Sequence, residues 1–358
     1  MAEAAAPDTR AADATTAHPS TAHPSLVNMR APGTTPTPGD QRRRPEGCYE
    51  DIAAAVGNTP LVGLPSLSPD ASVRLFAKIE GANPTGSVKD RVAVALVDDL
   101  ERRGELGEGR ILLESTSGNT GISLAAIARR RGHAVTLVMP DDVSPERVAL
   151  ARAYGAAIVA SPGTLGSNGA IAMARALAAA DPRYALANQY GNEANPRAHE
   201  TTTGPEILRQ CPEIDVFVAG LGTGGTLMGV SRYLRRAKPG VTIVAAEPLP
   251  GGTVGGLRSL EDGFVPEIFD PALLDRRFLV SNREAILGVR ALLHREGIFA
   301  GLSSGAILVA AQRIGREMPG ATIVALLPDG GWKYLSLGIH AGDLDAVEAA
   351  LDAGGTAW

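Results

Sequence analysis

Three short segments of this 358-residue sequence carry residues whose type and spacing could do chemistry. The first is Asn83-Pro84-Thr85-Gly86-Ser87-Val88-Lys89-Asp90-Arg91. Asn, Pro, Thr and Gly suit a turn, and Ser87 is a candidate helix cap. Lys89 then falls in the first helical turn, where the positive end of the helix disfavours a cation. Together with partial burial, this lowers the ammonium pKa and favours the neutral amine that attacks a carbonyl carbon. Taken alone, such a lysine reads equally as an ordinary surface residue.

The second segment, Ser115-Thr116-Ser117-Gly118-Asn119-Thr120-Gly121, follows the apolar run Ile111–Glu114 and precedes a helical stretch. Hydroxyls, an amide and two glycines crowded at one helix start suit a carboxylate held by backbone N–H groups and side chains. A helix start needs only one of them as a cap, which is the plainer reading. The third segment, Gly220-Leu221-Gly222-Thr223-Gly224-Gly225-Thr226, follows Val216–Ala219 and opens another helix. Gly220, Gly222 and Gly225 satisfy G-x-G-x-x-G, and Glu247 ends the next apolar run, where a dinucleotide fold places its ribose-binding acid. The physics is broader than one ligand: glycines let the backbone approach any phosphate, and Thr223 and Thr226 add hydroxyl donors. A nicotinamide dinucleotide, another phosphate and a tight turn without ligand all fit the pattern, and Glu247 reads equally as structural.

The elements that must position these segments are legible as alternating patterns. Strand-like apolar runs stand at Arg74–Ile79, Arg110–Glu114, Ala134–Met139, Ala156–Val159, Asp215–Ala219, Val241–Ala246 and Thr322–Leu327. Helical periodicity marks Asp90–Arg103, Gly121–Arg131, Ser144–Tyr154, Ser167–Ala180, Thr226–Arg236, Ile286–Glu296 and Ala306–Glu317. Alternation of this kind predicts an α/β architecture, with parallel sheets covered by helices on both faces. Ligands in such folds sit beyond the carboxyl ends of strands, so the loops Ser115–Gly121, Gly220–Thr226 and Pro328–Tyr334 matter most.

Composition excludes other classes. With 20% charged residues, a net charge of −5 and dispersed Lys and Arg apart from Arg42-Arg43-Arg44, no basic footprint for nucleic acid is visible. Cys48 and Cys211 are far apart and lack C-x-x-C spacing, which argues against a disulfide framework or a metal site and for a reducing, cytoplasmic setting. No apolar run is long enough to span a bilayer. Residues 1–48, rich in Ala, Thr and Pro and without the apolar stretch of a secretory signal, read as a disordered extension, with Met29 an alternative start.

In order, P-T-G-S-V-K-D-R, T-S-G-N-T-G and G-L-G-T-G-G-T resemble the motifs of fold-type II pyridoxal-phosphate (PLP) enzymes, specifically the cysteine synthase family. Gly57-Asn58-Thr59-Pro60-Leu61-Val62 and Glu296–Ala306 add to the resemblance, which runs from about residue 50 to the C-terminus. It implies a tryptophan synthase β-like fold of two αβα domains with the cofactor in the cleft between them. Residues 49–82 and 193–358 would form the large PLP-binding domain and 83–192 a small, mobile, substrate-binding one. Lys89 matches the lysine that carries PLP and then moves the α-proton. Asn119 matches the contact to the cofactor's 3′-oxygen, and Gly222, Thr223, Gly224, Gly225 and Thr226 match the loop around its 5′-phosphate. Ser303 matches the serine facing the pyridine nitrogen, where a neutral hydroxyl favours β-elimination over transamination. Thr116, Ser117, Thr120 and Gln189 match positions that hold the substrate carboxylate.

Within the family, Ala219–Gly229, Ala245–Pro248, Asp262–Ile268, Glu296–Gly301 and Gly331–Ser336 resemble the actinobacterial CysM-type O-phosphoserine sulfhydrylases. Arg258 lies where that subgroup places an arginine for the substrate phosphate, a task suited to its bidentate fork; otherwise it reads as a solvated surface residue. The resemblance implies L-cysteine synthesis from O-phospho-L-serine or O-acetyl-L-serine. Sulfide or a small sulfur-carrier protein with a C-terminal thiocarboxylate would be the sulfur donor, and the enzyme a homodimer. The tail Gly354-Gly355-Thr356-Ala357-Trp358 shares the subgroup's aromatic end and departs in its Gly-Gly, and Pro328-Asp329-Gly330-Gly331 departs from the usual segment. Cystathionine or 2,3-diaminopropionate synthesis stays open. A nicotinamide-dependent oxidoreductase would leave Lys89 and the Asn119 loop without a task, and a non-catalytic docking scaffold would not need Lys89.

Overall fold

A computed structural model describes residues 47–252, 254–261 and 264–353. The N-terminal extension with its Arg42–Arg44 triplet, two residues of the Asp262–Ile268 stretch, and the tail 354–358 therefore lie outside the described residues. The chain from Tyr49 onward forms one compact unit.

In chain order the unit runs β1 (Leu61–Gly63), β2 (Arg74–Ile79), α1 (Lys89–Arg102), β3 (Ile111–Ser115), α2 (Asn119–Arg130), β4 (Ala134–Pro140) and α3 (Pro145–Ala153). It continues with β5 (Ala157–Ser161), α4 (Gly166–Ala180), β6 (Tyr184–Leu186), α5 (Ala194–Ala198), α6 (Gly204–Gln210), β7 (Val216–Gly220) and α7 (Gly225–Ala237). Last come β8 (Thr242–Pro248), β9 (Arg276–Val280), α8 (Asn282–Glu296), α9 (Leu302–Glu317), β10 (Thr322–Leu327) and α10 (Leu344–Asp352). The expected alternation is present, with parallel pairing throughout except that β1 runs antiparallel to β2.

Two sheets result. One has the order β1-β2-β10-β7-β8-β9, the other β5-β4-β3-β6. Central strands such as β7 (VFVAG) and β10 (TIVALL) are buried on both faces, as parallel strands under two helical layers must be. Each sheet has its own apolar core: Leu112, Leu137 and Ile127 are fully or almost fully buried in the four-stranded region, and Val218, Val244 and Ile323 in the six-stranded one. No helix among the described residues is long and apolar enough to cross a membrane.

Several elements escape sequence reading. β6 is only three residues long, and β9 begins with two exposed arginines. α8 begins at Asn282, four residues before its periodic stretch, under a capping box of Ser281 and Glu284. α1 begins at Lys89 itself. Val88 occupies its cap position without a side-chain bond, while Ser87 Oγ accepts the Lys89 N–H at 3.3 Å from just outside the helix.

A buried charge network locks α1 to the larger sheet. Arg91 donates from Nε and Nη2 to Glu80 at 2.8 and 2.9 Å, and from Nη1 and Nη2 to Glu206 at 2.8 Å each. Lys78 Nζ donates to Glu206 Oε2 at 2.9 Å and to the Thr59 carbonyl at 2.6 Å. Burial disfavours every charge here, yet the two carboxylates outweigh it at Arg91 and raise its pKa above the ordinary value. Burial likewise opposes the Glu206 carboxylate, but Arg91 and Lys78 bring it down to about 2. Breaking one partner of such a network strands the others. Glu206→Gln is expected to cost about 3–5 kcal/mol in chemical denaturation. Because Glu206 titrates lower folded than unfolded, its stabilisation is complete above the ordinary carboxyl pKa of 4.5 and lost as the pH falls toward about 2. Acid denaturation of the wild type should steepen in that window, and the variant should lose that component.

Candidate active site

The C-terminal ends of β3, β7 and β10 open on one cleft, and the three loops singled out by sequence all reach it. Lys89, Thr116, Ser117, Asn119, Thr120, Gln189, Gly222, Thr223, Arg258 and Ser303 line its wall. An adjoining recess shares Lys89, Gly222 and Thr223 and adds Gly224 and Thr226. Of the expected site residues only Gly225 lines neither cavity. It is buried at the start of α7, where a Cβ would overlap the Asn195 side chain.

Lys89 is half-buried at the N-terminus of α1. Removal from water pulls its ammonium down to about 8, against the opposing charge of Asp329. This is the expected direction, with desolvation as the leading cause. Ahead of it, Gly86 holds a left-handed φ of +84°, and the Trp332 ring sits where a side chain would project.

The glycine loop is built as an anion cradle. Gly224 takes φ 87° at the cap of α7, and a Cβ on Gly222 would stand 2.8 Å from the Gly256 carbonyl oxygen. Thr223 Oγ accepts from Asn195 Nδ2 at 3.1 Å and from the Gly225 N–H at 3.3 Å, which leaves its own proton free to be donated. Thr226 Oγ lies 3.3 Å from Nε2 of His199, a fully buried histidine whose pKa burial holds well below its ordinary value. His199 opens a π-helical turn, His199–Thr203, and its Nδ1 lies 2.9 Å from Thr203 Oγ. Glu247, expected as a ribose ligand in a dinucleotide fold, lines neither cavity. It is buried, accepts the Leu260 N–H at 3.4 Å and lies 3.6 Å from Arg277, a structural role.

Opposite the cradle, Thr116 Oγ accepts the N–H groups of Gly118 and Gly121 at 3.0 and 3.2 Å and folds its loop back onto the start of α2. Thr120 donates to Gln189 Oε1 at 2.7 Å, and Gln189 Nε2 donates to the Ser115 carbonyl at 2.9 Å. Asn188, in a left-handed conformation at φ 54°, turns the chain immediately before Gln189. Beneath, the buried Glu114 carboxyl accepts the backbone N–H groups of Ser115 and Gln189, and burial pushes its pKa up to about 7. Arg258 is buried, not solvated. Its Nη1 donates to Asn168 Oδ1 at 3.0 Å, and its guanidinium lies 4.7 and 5.4 Å from the rings of Phe264 and Tyr190.

Sequence reading assigned no role to Asp329, Lys333, Tyr334 or Arg147, although Tyr334 and Arg147 line the cleft and Asp329 and Lys333 bond Asn119 from behind it. One arginine on a helix, Arg147 in α3, and three charged or aromatic residues on the segment after β10 carry little signal of their own. The available one was the position of Pro328–Tyr334 after a central strand.

The cleft fits a phosphorylated carbonyl cofactor. Its cradle tolerates only glycine and presents N–H and O–H donors, an amine stands beside it, and a neutral hydroxyl, Ser303, is buried on the wall. Gly225→Ala is expected to weaken retention of the phosphate about tenfold or more, read as the cofactor dissociation constant. Capture of PLP by cofactor-free protein should accelerate with pH through a midpoint near 8, the value to which burial brings Lys89, and not near the ordinary 10.5. Lys89→Ala should abolish the covalent capture and leave phosphate binding.

Comparison with known proteins agrees with this chemistry. Cysteine synthase B of Salmonella typhimurium is 45% identical over 289 residues, 80% of this chain and 95% of that protein, and that of Escherichia coli is 43% identical over the same lengths. Among solved structures, O-ureido-L-serine synthase superposes with a TM-score of 0.77 at 39% identity, covering 84% of this chain and 99% of the other. The cysteine synthase of Entamoeba histolytica superposes with 0.77 at 32%, covering 91% and 98%. A family model described as pyridoxal-phosphate dependent enzyme matches residues 52–329, from before β1 to the loop after β10, and this chain belongs to that family.

Proposed function

We propose that this protein makes L-cysteine by PLP-dependent β-replacement, taking O-phospho-L-serine as the activated serine. The observation that carries the choice of substrate is Arg258, a buried guanidinium on the cleft wall, fixed by Asn168 and two aromatic rings. Identities of 43–45% to cysteine synthase B support the reaction class.

When bound, PLP supplies an electron sink for charge at the substrate α-carbon. The protein supplies placement and proton transfer. Gly222, Thr223, Gly224, Gly225 and Thr226 would hold the phosphate, Asn119 would contact the ring oxygen, and Ser303 would face the ring nitrogen with a neutral hydroxyl. Thr116, Ser117, Thr120 and Gln189 receive the α-carboxylate. Lys89 Nζ would carry the cofactor, and its lowered pKa suits it to take the α-proton and return it. Arg258 receives the departing phosphate, where a planar two-pronged donor matches two phosphate oxygens. Sulfide then adds at the β-carbon to give L-cysteine directly; the thiocarboxylate of a small carrier protein would add there through its sulfur, and water must then cleave the acyl bond to the carrier to release L-cysteine and a carrier carboxylate. The region about 83–192, which carries the four-stranded sheet, closes over the cleft and excludes water. A cytoplasmic homodimer is part of the same reading.

Initial rates of cysteine formation from sulfide, with O-phosphoserine or O-acetylserine as partner, test the substrate. O-Phosphoserine should show the higher kcat/KM, and Arg258→Ala should lower that value about 10- to 100-fold, the worth of a charge-assisted hydrogen bond. The O-acetylserine rate should change little. A wild-type preference for O-acetylserine would make Arg258 a structural residue and leave the cysteine synthase chemistry intact. Failure to form cysteine from either would remove the reaction itself.

A further inference from the structure

Behind the cleft, the segment after β10 buries two charged residues, Asp329 and Lys333, that none of these roles uses. Lys333 Nζ donates to Asn119 Oδ1 at 2.7 Å and reaches the carbonyl of Gly86 at 3.5 Å, on the turn that leads into Lys89. Asn119 Nδ2 donates to Asp329 Oδ2 at 2.8 Å, and the same oxygen accepts the Tyr334 hydroxyl at 2.6 Å. An ammonium group only donates and a carboxylate only accepts. Exchanging the oxygen and nitrogen of Asn119 would set donor against donor and acceptor against acceptor, so the amide has one permitted orientation. In that orientation one N–H of Nδ2 is spent on Asp329 and the second remains, on a residue that lines the cleft.

We propose that Asp329 and Lys333 are a positioning pair: they lock the amide of Asn119 so that its remaining N–H is presented to the ring oxygen of the cofactor, and they tie that loop to the turn carrying Lys89. The proposal rests on Asn119 being the ring-oxygen contact. Three further features support it. Gly301 lies where any Cβ would overlap Asp329 Oδ1, so the carboxylate is confined by backbone. Burial pulls the Lys333 ammonium below its ordinary pKa, while Asp329 and Asp90 favour its charge and Arg147 opposes it. The loop bearing Asn119 is also held from its other side. Arg147 donates to the Ser117 carbonyl at 3.2 Å and lies 4.9 Å from the ring centre of Tyr334, the tyrosine bonded to Asp329. A distance of 210 residues in sequence separates Asn119 from Asp329, so no local constraint on either loop could supply this orientation.

The test uses the holoenzyme and reads the visible absorption band of bound PLP against pH, the PLP dissociation constant and the melting temperature. The variants are Asn119→Ala, Asp329→Ala, Lys333→Met, and the conservative Asp329→Asn and Lys333→Arg. Asp329→Ala and Lys333→Met should reproduce the band shift of Asn119→Ala and weaken PLP about tenfold, the scale of one charge-assisted hydrogen bond. Asp329→Asn retains an acceptor and Lys333→Arg retains a donor, so both should recover most of the wild-type spectrum. A purely structural role would lower the melting temperature and leave the band of the folded fraction in place. Wild-type spectra in Asp329→Ala and Lys333→Met, with a shifted band in Asn119→Ala, would overturn the positioning pair and spare the Asn119 assignment. An unshifted band in Asn119→Ala would remove that assignment and the pair with it. Should Asp329→Ala fail to fold, Lys333→Met, apolar and similar in length, carries the decision.

Discussion

The placement of the site depends on one buried guanidinium. Arg91 stands two residues after Lys89 on α1, and its fork is filled on both sides by the carboxylates of Glu80 and Glu206. An arginine without such partners could not remain in the interior, because the desolvation of its charge would exceed what packing returns. The pairing therefore fixes the rotation of α1. One residue of slippage turns a helix by about 100° and would swing Lys89 off the cleft wall. Glu80 opens the turn directly after β2 and Glu206 lies on α6, so strand, helix and the chain approaching β7 are registered on a single cation. Lys78, bonded to Glu206 from within β2, completes the registration.

From that fixed point the electrostatics of the cleft follow. Lys89, Arg147 and Arg258 line it, with Lys333 behind and N–H groups of two helix starts at its edges. The ligands such a cleft selects are anionic, phosphates and carboxylates. Its own carboxylates are turned to other work. Asp90 is consumed by Thr85 and Ser123, Glu114 by backbone N–H groups, and Asp329 by Asn119 and Tyr334. These acids shape the loops and leave the positive field of the cleft to the ligands. Burial moves several amines of this region toward neutrality, Lys78 and Lys333 among them, and brings Lys89, the one on the cleft wall, down to about 8.

How much of this was legible in the sequence depended on whether a residue acts locally. The cradle and the Asn119 loop are contiguous, their glycines and hydroxyls are spaced by the turn they form, and both could be read before any contact was known. Strands β7 and β10 were equally plain, because burial on both faces leaves nearly unbroken apolar runs. Family resemblance added the individual roles, and the geometry gathers those residues on one cleft. What stayed hidden was non-local. Asp329 and Lys333 look like unremarkable charges until Asn119 is brought against them, and Glu206 looks like a helix-surface acid until Arg91 and Lys78 reach it. β9 hid for another reason: its exposed Arg276 and Arg277 break the apolar pattern of an edge strand. The dinucleotide pattern at Gly220–Gly225 with Glu247 showed the opposite failure, since local spacing alone could not reveal that Arg277 and Leu260 already occupy the acid.

The order of strands bears on how the chain assembles during synthesis. All four strands of the smaller sheet come from residues 111–186, and that sheet can be complete once they have emerged. The larger sheet is different, because its last strand to be made, β10, lies in its middle and joins β2 to β7. Until Leu327 has left the ribosome, β2 and β7 each present an open parallel edge, and Asn119 has neither of its charged partners. Between the emergence of β7 and that of β10 the nascent protein therefore carries a finished small sheet and two unpaired apolar edges, the condition in which chaperone capture or mispairing with another chain competes with closure.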